Sequence, residues 1–172
     1  METPFEETAE TLAQLQRRGK IRAIGVSNYA PAQMDAFQAK ARLATAQPPY
    51  NLFERGIETD ILPYCRARGI ATLVYGALCR GLLSGRMTAT TTFDGDDLRR
   101  FDPKFRGERF GAYVTAVDRL DAYARERFGK SVIALAARWL LDQPGVSVAL
   151  WGARRPDQLD PIADAMGWRL DD

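Results

Sequence analysis

Apolar positions along the 172-residue chain change their period several times, and each change predicts an element. Thr3-Pro4-Phe5-Glu6 opens a helix with a capping Thr, Pro at the first helical position and acidic residues in the first turn. Thr8, Leu12 and Leu15 then recur at helical spacing until Gly19. Residues 21–28 form a short β-branched run, basic at its entry and small and polar at its exit, which predicts a strand. Helical spacing returns over 31–43 through Met34, Phe37 and Ala41, and a second short strand over 44–47 stops at Pro48-Pro49. A helix over 57–68 closes at Gly69, and a third, buried strand follows over 70–75. The stretch from 76 to about 111 is a long loop, rich in Gly, Thr, Asp and Arg with little periodicity. Amphipathic helices are predicted over 112–128 and 131–142, a fourth strand over 146–151, and a closing helix over 156–166.

The order is one helix and then four strand-then-helix units, with connections too long for hairpins. Such alternation implies parallel strands joined by right-handed crossovers, hence an α/β protein. No repeat, low-complexity tract or linker marks a second domain, so 1–172 reads as a single domain. That length suits one domain but falls short of the ~250 residues of a closed eight-stranded α/β barrel.

Composition narrows the chemistry. The chain has no histidine, so it supplies no imidazole base, proton shuttle or metal ligand. A net charge of +2, from 24 basic and 22 acidic residues, gives no electrostatic case for nucleic acid or membrane. Cys65 and Cys79 lack CxxC spacing, which fits a reducing, cytoplasmic setting rather than a disulfide framework. No apolar run approaches ~18 residues, and the acidic start Met1-Glu-Thr-Pro-Phe-Glu-Glu is unlike a signal peptide.

Ligands of parallel α/β sheets bind at the carboxyl ends of the strands. Those ends carry Ser27-Asn28, Gln47, Tyr75-Gly76 and Gly152-Ala153-Arg154-Arg155. Each has a plain structural explanation: a turn before Pro31, a residue before two prolines, a core Tyr with a wet hydroxyl, arginines that solvate a loop. Their joint placement also has a chemical theme. Ser, Asn and Gln suit a primary carboxamide, an aromatic ring suits a planar heterocycle, and a nicotinamide needs both. Gly152, Arg154 and Arg155 before a helix starting near Pro156 would suit an anion.

Four strings carry a resemblance: Gly19-Lys20-Ile21-Arg22-Ala23-Ile24-Gly25-Val26-Ser27-Asn28, Gln47-Pro48-Pro49-Tyr50-Asn51, Tyr75-Gly76-Ala77-Leu78-Cys79-Arg80-Gly81-Leu82-Leu83-Ser84-Gly85, and Gly152-Ala153-Arg154-Arg155-Pro156-Asp157-Gln158-Leu159. In this order they resemble the successive signatures of the aldo-keto reductase superfamily over essentially the whole chain. The resemblance implies the C-terminal half of a (β/α)8 TIM barrel, with four parallel strands and surrounding helices, and an NADP(H)-dependent carbonyl reductase ancestry. It implies that Ser27, Asn28 and Gln47 hold the nicotinamide carboxamide and that Tyr75 stacks on the ring. Gly76, Leu78 and Arg86 would lie on the segment that wraps the pyrophosphate, and Gly152, Arg154 and Gln158 on the adenosine side with its 2′-phosphate. Trp151 and Ile162 stand where many relatives have Pro and an adenine-contacting Asn.

In that family an Asp, Tyr, Lys and His tetrad comes from the first four strands, and this chain begins after them. Lys20 lies at a strand entrance, and Tyr29 and Tyr50 have no Lys or His nearby in sequence, so no catalytic residue is assigned. The leading expectation is therefore a cofactor-binding half, inactive alone, that acts on a small carbonyl only when an N-terminal half completes it. The alternative is a non-catalytic NADPH-binding or regulatory module. Open sheet edges predict a homo-oligomer or a complementing half as partner.

Overall fold

The computed structural model describes residues 3–170; Met1 and Glu2, which open the acidic N-terminal stretch, and the last two residues lie outside it. Two compact units are present, one of residues up to 50, 54–75 and 143–150, the other of 51–53, 76–142 and residues from 151 onward.

The first unit holds helices α1 (Phe5–Arg17), α2 (Pro31–Gln38) and α3 (Ile61–Arg68) and strands β1 (Gly25–Ser27), β2 (Thr45–Gln47), β3 (Ala71–Val74) and β4 (Val146–Ala149). The strands lie in the order β1-β2-β3-β4 and every neighbouring pair is parallel, as the alternation of strand and helix predicts. They are shorter than their apolar runs. The β2 ladder stops at Pro48 and Pro49, which have no N–H to donate, and β1 keeps pairing only opposite it, from Gly25–Thr45 to Ser27–Gln47.

That register demands glycine at 25. A Cβ there would stand 2.1 Å from Thr45 Oγ1 and 3.1 Å from the Thr45 carbonyl oxygen. Behind the strands, Ala9 and Ala13 of α1, Met34 and Phe37 of α2, and Leu43, Ala46 and Ile70 form one buried cluster. Full burial of a side chain such as Met34 or Phe37 contributes about 1.5–3 kcal/mol. The fully buried face of α1 is alanine, with Leu12 at its margin, so the helix approaches α2 closely. Pro4 is the N-cap of α1 and not its first residue, and no side chain caps the helix, contrary to the role expected for Thr3. An extended backbone at Pro4, with ψ 144°, keeps it outside the helix. Tyr64 ties α3 to α2 by donating to Asp35 Oδ1 at 2.7 Å and accepting from Gln38 Nε2 at 3.1 Å. Between Thr72 and Leu73 the register with β4 slips by one residue. The Thr72 N–H there donates to Ser147 Oγ at 3.2 Å, and the buried Thr72 hydroxyl donates to the Gly145 carbonyl, so the bulge leaves neither group orphaned.

The second unit is built on helices α4 (Gly107–Phe128) and α5 (Val132–Asp142). Much of the 76–111 segment is anchored by aromatic packing: Phe93 meets Phe105 and Phe110 edge-on at 5.4 and 5.9 Å. These rings join Leu82, Leu83, Val114, Val117 and Val132 in a second core. Short pieces of 3₁₀ helix run along the segment at Cys79–Ser84, kinked at Arg80 and Gly81, and at Leu98–Arg100 and Pro103–Phe105. α4 begins at Gly107, earlier than periodicity predicts, because its first turn buries Phe110. The closing helix expected over 156–166 is two 3₁₀ segments, Pro156–Gln158 and Asp160–Ala165. Pro161 has no N–H, and its ring would clash with the carbonyl four residues back in a continuous α-helix. No helix of the described residues is long and apolar enough to cross a membrane.

Asp121 of α4 closes the start of α5: Oδ1 accepts from the Val132 N–H at 2.8 Å and Oδ2 from Arg125 Nε at 2.6 Å. Burial alone would raise this carboxyl, but Arg125 and the Val132 amide outweigh it and hold it below the usual carboxylate range. Its stabilisation is therefore complete above the unfolded value and disappears as pH falls through the lowered folded value. Asp121→Ala should cost about 1 kcal/mol at neutral pH. Melting curves from pH 7 to pH 3 should converge with wild type as acid removes the same contribution. Gly25→Ala should cost roughly 1–3 kcal/mol by urea denaturation, and an unchanged midpoint would show that β1 and β2 yield freely.

Candidate functional site

In the first unit, three neighbouring strands bring the expected carboxamide and ring residues to one end of the sheet. Ser27 stands opposite Gln47 in register, and Ser27 Oγ donates to the Gln47 carbonyl at 3.0 Å. The next amide, Asn28 N–H, donates to that carbonyl at 3.3 Å. Beyond β2 the chain bridges to Tyr75: its N–H donates to the Pro48 carbonyl and its carbonyl accepts from the Tyr50 N–H, both at 3.0 Å. Tyr75 is half-buried, Ser27 and Asn28 are exposed, and the Tyr75 hydroxyl donates to Asn28 Oδ1 at 3.0 Å. Asn28 has φ 61°, in the left-handed region that Asn enters more readily than most residues. Gln47 is half-exposed, and among the described residues its side-chain amide has no hydrogen bond.

The two nearby tyrosines are held differently. Tyr50 is fully buried and donates to Glu58 Oε1 at 2.6 Å; burial, then Glu58, pushes its hydroxyl well above the usual phenol range. Tyr29 packs edge-on between Phe5, at 5.0 Å, and Phe37, at 6.2 Å. Lys20 is exposed on the loop before β1.

The second unit carries the remaining six residues. Gly76, with φ 72°, accepts at its carbonyl from Asn51 Nδ2 at 3.0 Å and from the Cys79 N–H at 2.8 Å. Asn51 is completely buried and also accepts from the Phe53 N–H at 3.0 Å. No sequence pattern gives Asn51 a role, because hydrophobic periodicity carries no signal for a buried amide. Leu78 packs on the second core. Between Gly76 and Gly85 the backbone enters the left-handed region five times, twice at non-glycine residues, Cys79 (φ 47°) and Arg80 (φ 54°). Such strain persists only where surrounding structure fixes it, as Leu82 and Leu83 do here from the core.

Arg86, Gly152 and Arg154 are exposed and Gln158 is half-buried. Gln158 Oε1 accepts from the Arg154 and Arg155 N–H groups at 2.7 and 3.1 Å, so its oxygen shapes the loop. The turn that follows is three residues of 3₁₀ helix, which lacks the helix N-terminus expected to favour an anion; positive charge there comes from side chains. Arg155 is held by Asp157 through two hydrogen bonds of 3.0 Å. That contact, and then the Coulombic pull of Arg155 and Arg86, lower the Asp157 carboxyl. Asp97 is held at about 2 by hydrogen bonds from Arg99, with the charges of Arg99 and Arg154 adding to them. Arg86 and Arg154 thus each lie within electrostatic reach of a carboxylate, yet among the described residues neither makes an ion pair.

The chain is 59% identical over 167 residues to the aldo-keto reductase YhdN of Bacillus subtilis (strain 168), covering 97% of this chain and 50% of that protein. It is 31% identical over 172 residues to the NADH-specific methylglyoxal reductase of Escherichia coli (strain K12), covering 99% of this chain and 51% of that one. Among solved structures, the glycerol dehydrogenase AKR11B4 from Gluconobacter oxydans superposes with a TM-score of 0.92 at 54% identity, over 98% of this chain and 51% of the other. The chain spans about half the length of the curated relatives it matches, and its fold is that of half a (β/α)8 barrel. Residues 1–172 also match the profile of the Aldo/keto reductase family, and the chain belongs to that family.

Proposed function

We propose that this chain binds NADP(H) in the cytoplasm, as the cofactor-binding half of an oxidoreductase that interconverts a small carbonyl and its alcohol. The observation that carries the reading is the convergence of Ser27, Asn28, Gln47 and Tyr75 at neighbouring strand ends, with the Tyr75 hydroxyl on the Asn28 amide. Amides and a hydroxyl match the donors and acceptors of a carboxamide, and a half-exposed phenol ring matches a flat pyridine. In the second unit, Arg86 and Arg154 suit phosphate groups, and Gly76, Leu78, Gly152 and Gln158 shape the loops that present them. When bound, the reduced nicotinamide supplies the hydride; this chain's residues bind and orient it.

The proton of a carbonyl reduction needs a separate donor. The chain has no histidine, and Tyr50 is committed to Glu58, which supports a donor supplied by a complementing half. The same features favour a second reading, a nucleotide-binding module with no turnover of its own.

Titration with NADPH should enhance its fluorescence, with binding at least about tenfold tighter than for NADH if an arginine takes the 2′-phosphate. Arg154→Ala should close that gap. A preference for NADH, the cofactor in the name of one relative, contradicts NADP(H) use, and no binding at millimolar NADPH overturns the whole reading. The chain alone should oxidise no NADPH with a small aldehyde. Turnover on co-expression with a polypeptide carrying the Asp, Tyr, Lys and His tetrad marks a split enzyme, and continued silence marks the binding module.

Strands β1 and β4 each have one edge without a strand partner among the described residues, and Val148 on β4 is 42% exposed. A complementing half or a second copy covers these edges in our reading. Light scattering at micromolar concentration should show a dimer or a complex with the complementing half; a folded, strictly monomeric species contradicts it.

A further inference from the structure

We infer that the Tyr75 hydroxyl is a positioning group for the Asn28 amide, separate from any stacking by the Tyr75 ring. The inference rests on the nicotinamide reading above. Asn28 directly follows β1 with a left-handed backbone, and its N–H is fixed on the Gln47 carbonyl at 3.3 Å. Its side chain is exposed, and an exposed amide that turns over exchanges one acceptor oxygen for two donor hydrogens. The Tyr75 hydroxyl donates to Oδ1 at 3.0 Å and biases the amide towards this orientation, because a phenol is a better donor than acceptor. Nδ2 is then the end left to a ligand, and it can only donate. The pair therefore presents an oriented donor that favours a carbonyl oxygen over an amino group. Tyr75 is itself fixed by the Pro48 carbonyl and the Tyr50 N–H, so the hydroxyl sits on a backbone tied to the neighbouring strand end.

Tyr75→Phe keeps the ring and removes only this hydrogen bond. Asn28→Gly removes the amide and keeps a residue that tolerates the positive φ. Binding to the full chain is measured by calorimetry with NADP⁺ and with 2′-phospho-ADP-ribose, which has the same phosphates and adenosine but no nicotinamide. Loss of one orienting hydrogen bond corresponds to about a five- to tenfold weaker dissociation constant. We expect Tyr75→Phe to weaken NADP⁺ by that factor and to leave 2′-phospho-ADP-ribose unchanged. In the double variant, loss of the hydroxyl should cost nothing further, because the amide it orients is gone. Equal weakening of both ligands would show a structural role and overturn the inference, as would unchanged NADP⁺ binding or additive losses in the double variant. If the unmodified chain binds 2′-phospho-ADP-ribose but gains nothing from the nicotinamide, the inference fails while nucleotide binding stands. If it binds neither, the nicotinamide reading fails first.

Discussion

The parallel register of β1, β2 and β3 is the constraint on which the first unit's site depends. Side chains alternate faces along a strand, so a slip of one residue would turn Ser27 or Gln47 to the opposite face. Gly25 favours the register from one end, since a Cβ there would crowd the Thr45 side chain and carbonyl. Pro48 and Pro49 end the ladder at the other, and the Tyr75 backbone takes over the pairing with Pro48 and Tyr50. Packing inside the sheet and hydrogen bonding at its rim therefore fix the same residues. Ser27, Asn28 and Tyr75 are held by bonds that exist before any ligand arrives, which lowers the ordering cost of binding.

The second unit meets a different demand. Its irregular segment must hold left-handed residues at Cys79 and Arg80 and keep several arginines soluble without regular structure. Aromatic packing of Phe93, Phe105 and Phe110 supplies the anchor. Acidic neighbours supply order for the charges: Asp97 binds Arg99, Asp102 binds Lys104, and Asp157 binds Arg155. Both Asp97 and Asp102 also accept from a backbone N–H two residues on, so each carboxylate fixes a turn as well as a cation.

Periodicity and punctuation made the strand-helix alternation and the parallel sheet legible, because Gly69, Gly129 and Pro31 stop or start elements by local rules. Strand lengths were not legible, because pairing ends where the neighbour ends and not where the apolar run does. Nor was the start of α4, which depends on where Phe110 is buried. The final segment reads as a helix from Pro156 onward only if Pro161 is ignored, and its backbone obeys that proline. At the site, the strand-end residues could be picked out singly, since polar groups directly after apolar runs stand out. Their hydrogen bonds could not, because Tyr75 and Asn28 are 47 positions apart and meet only through the sheet.

Arg154 and Arg155 illustrate how pairing divides work between adjacent like charges. A guanidinium already held by a carboxylate gives up charge-assisted bonds when it turns to a phosphate, so much of the new interaction is offset by the old. Arg155 is in that position with Asp157. Arg154 is exposed, its backbone N–H is fixed by Gln158, and among the described residues it makes no ion pair, so an anion that meets it there breaks none. Asp97 still feels its charge, which keeps the side chain from being electrostatically isolated without immobilising it. Of two neighbouring arginines, one therefore stabilises the loop and the other remains available to a ligand, and the distinction comes from Asp157 lying two residues after Arg155.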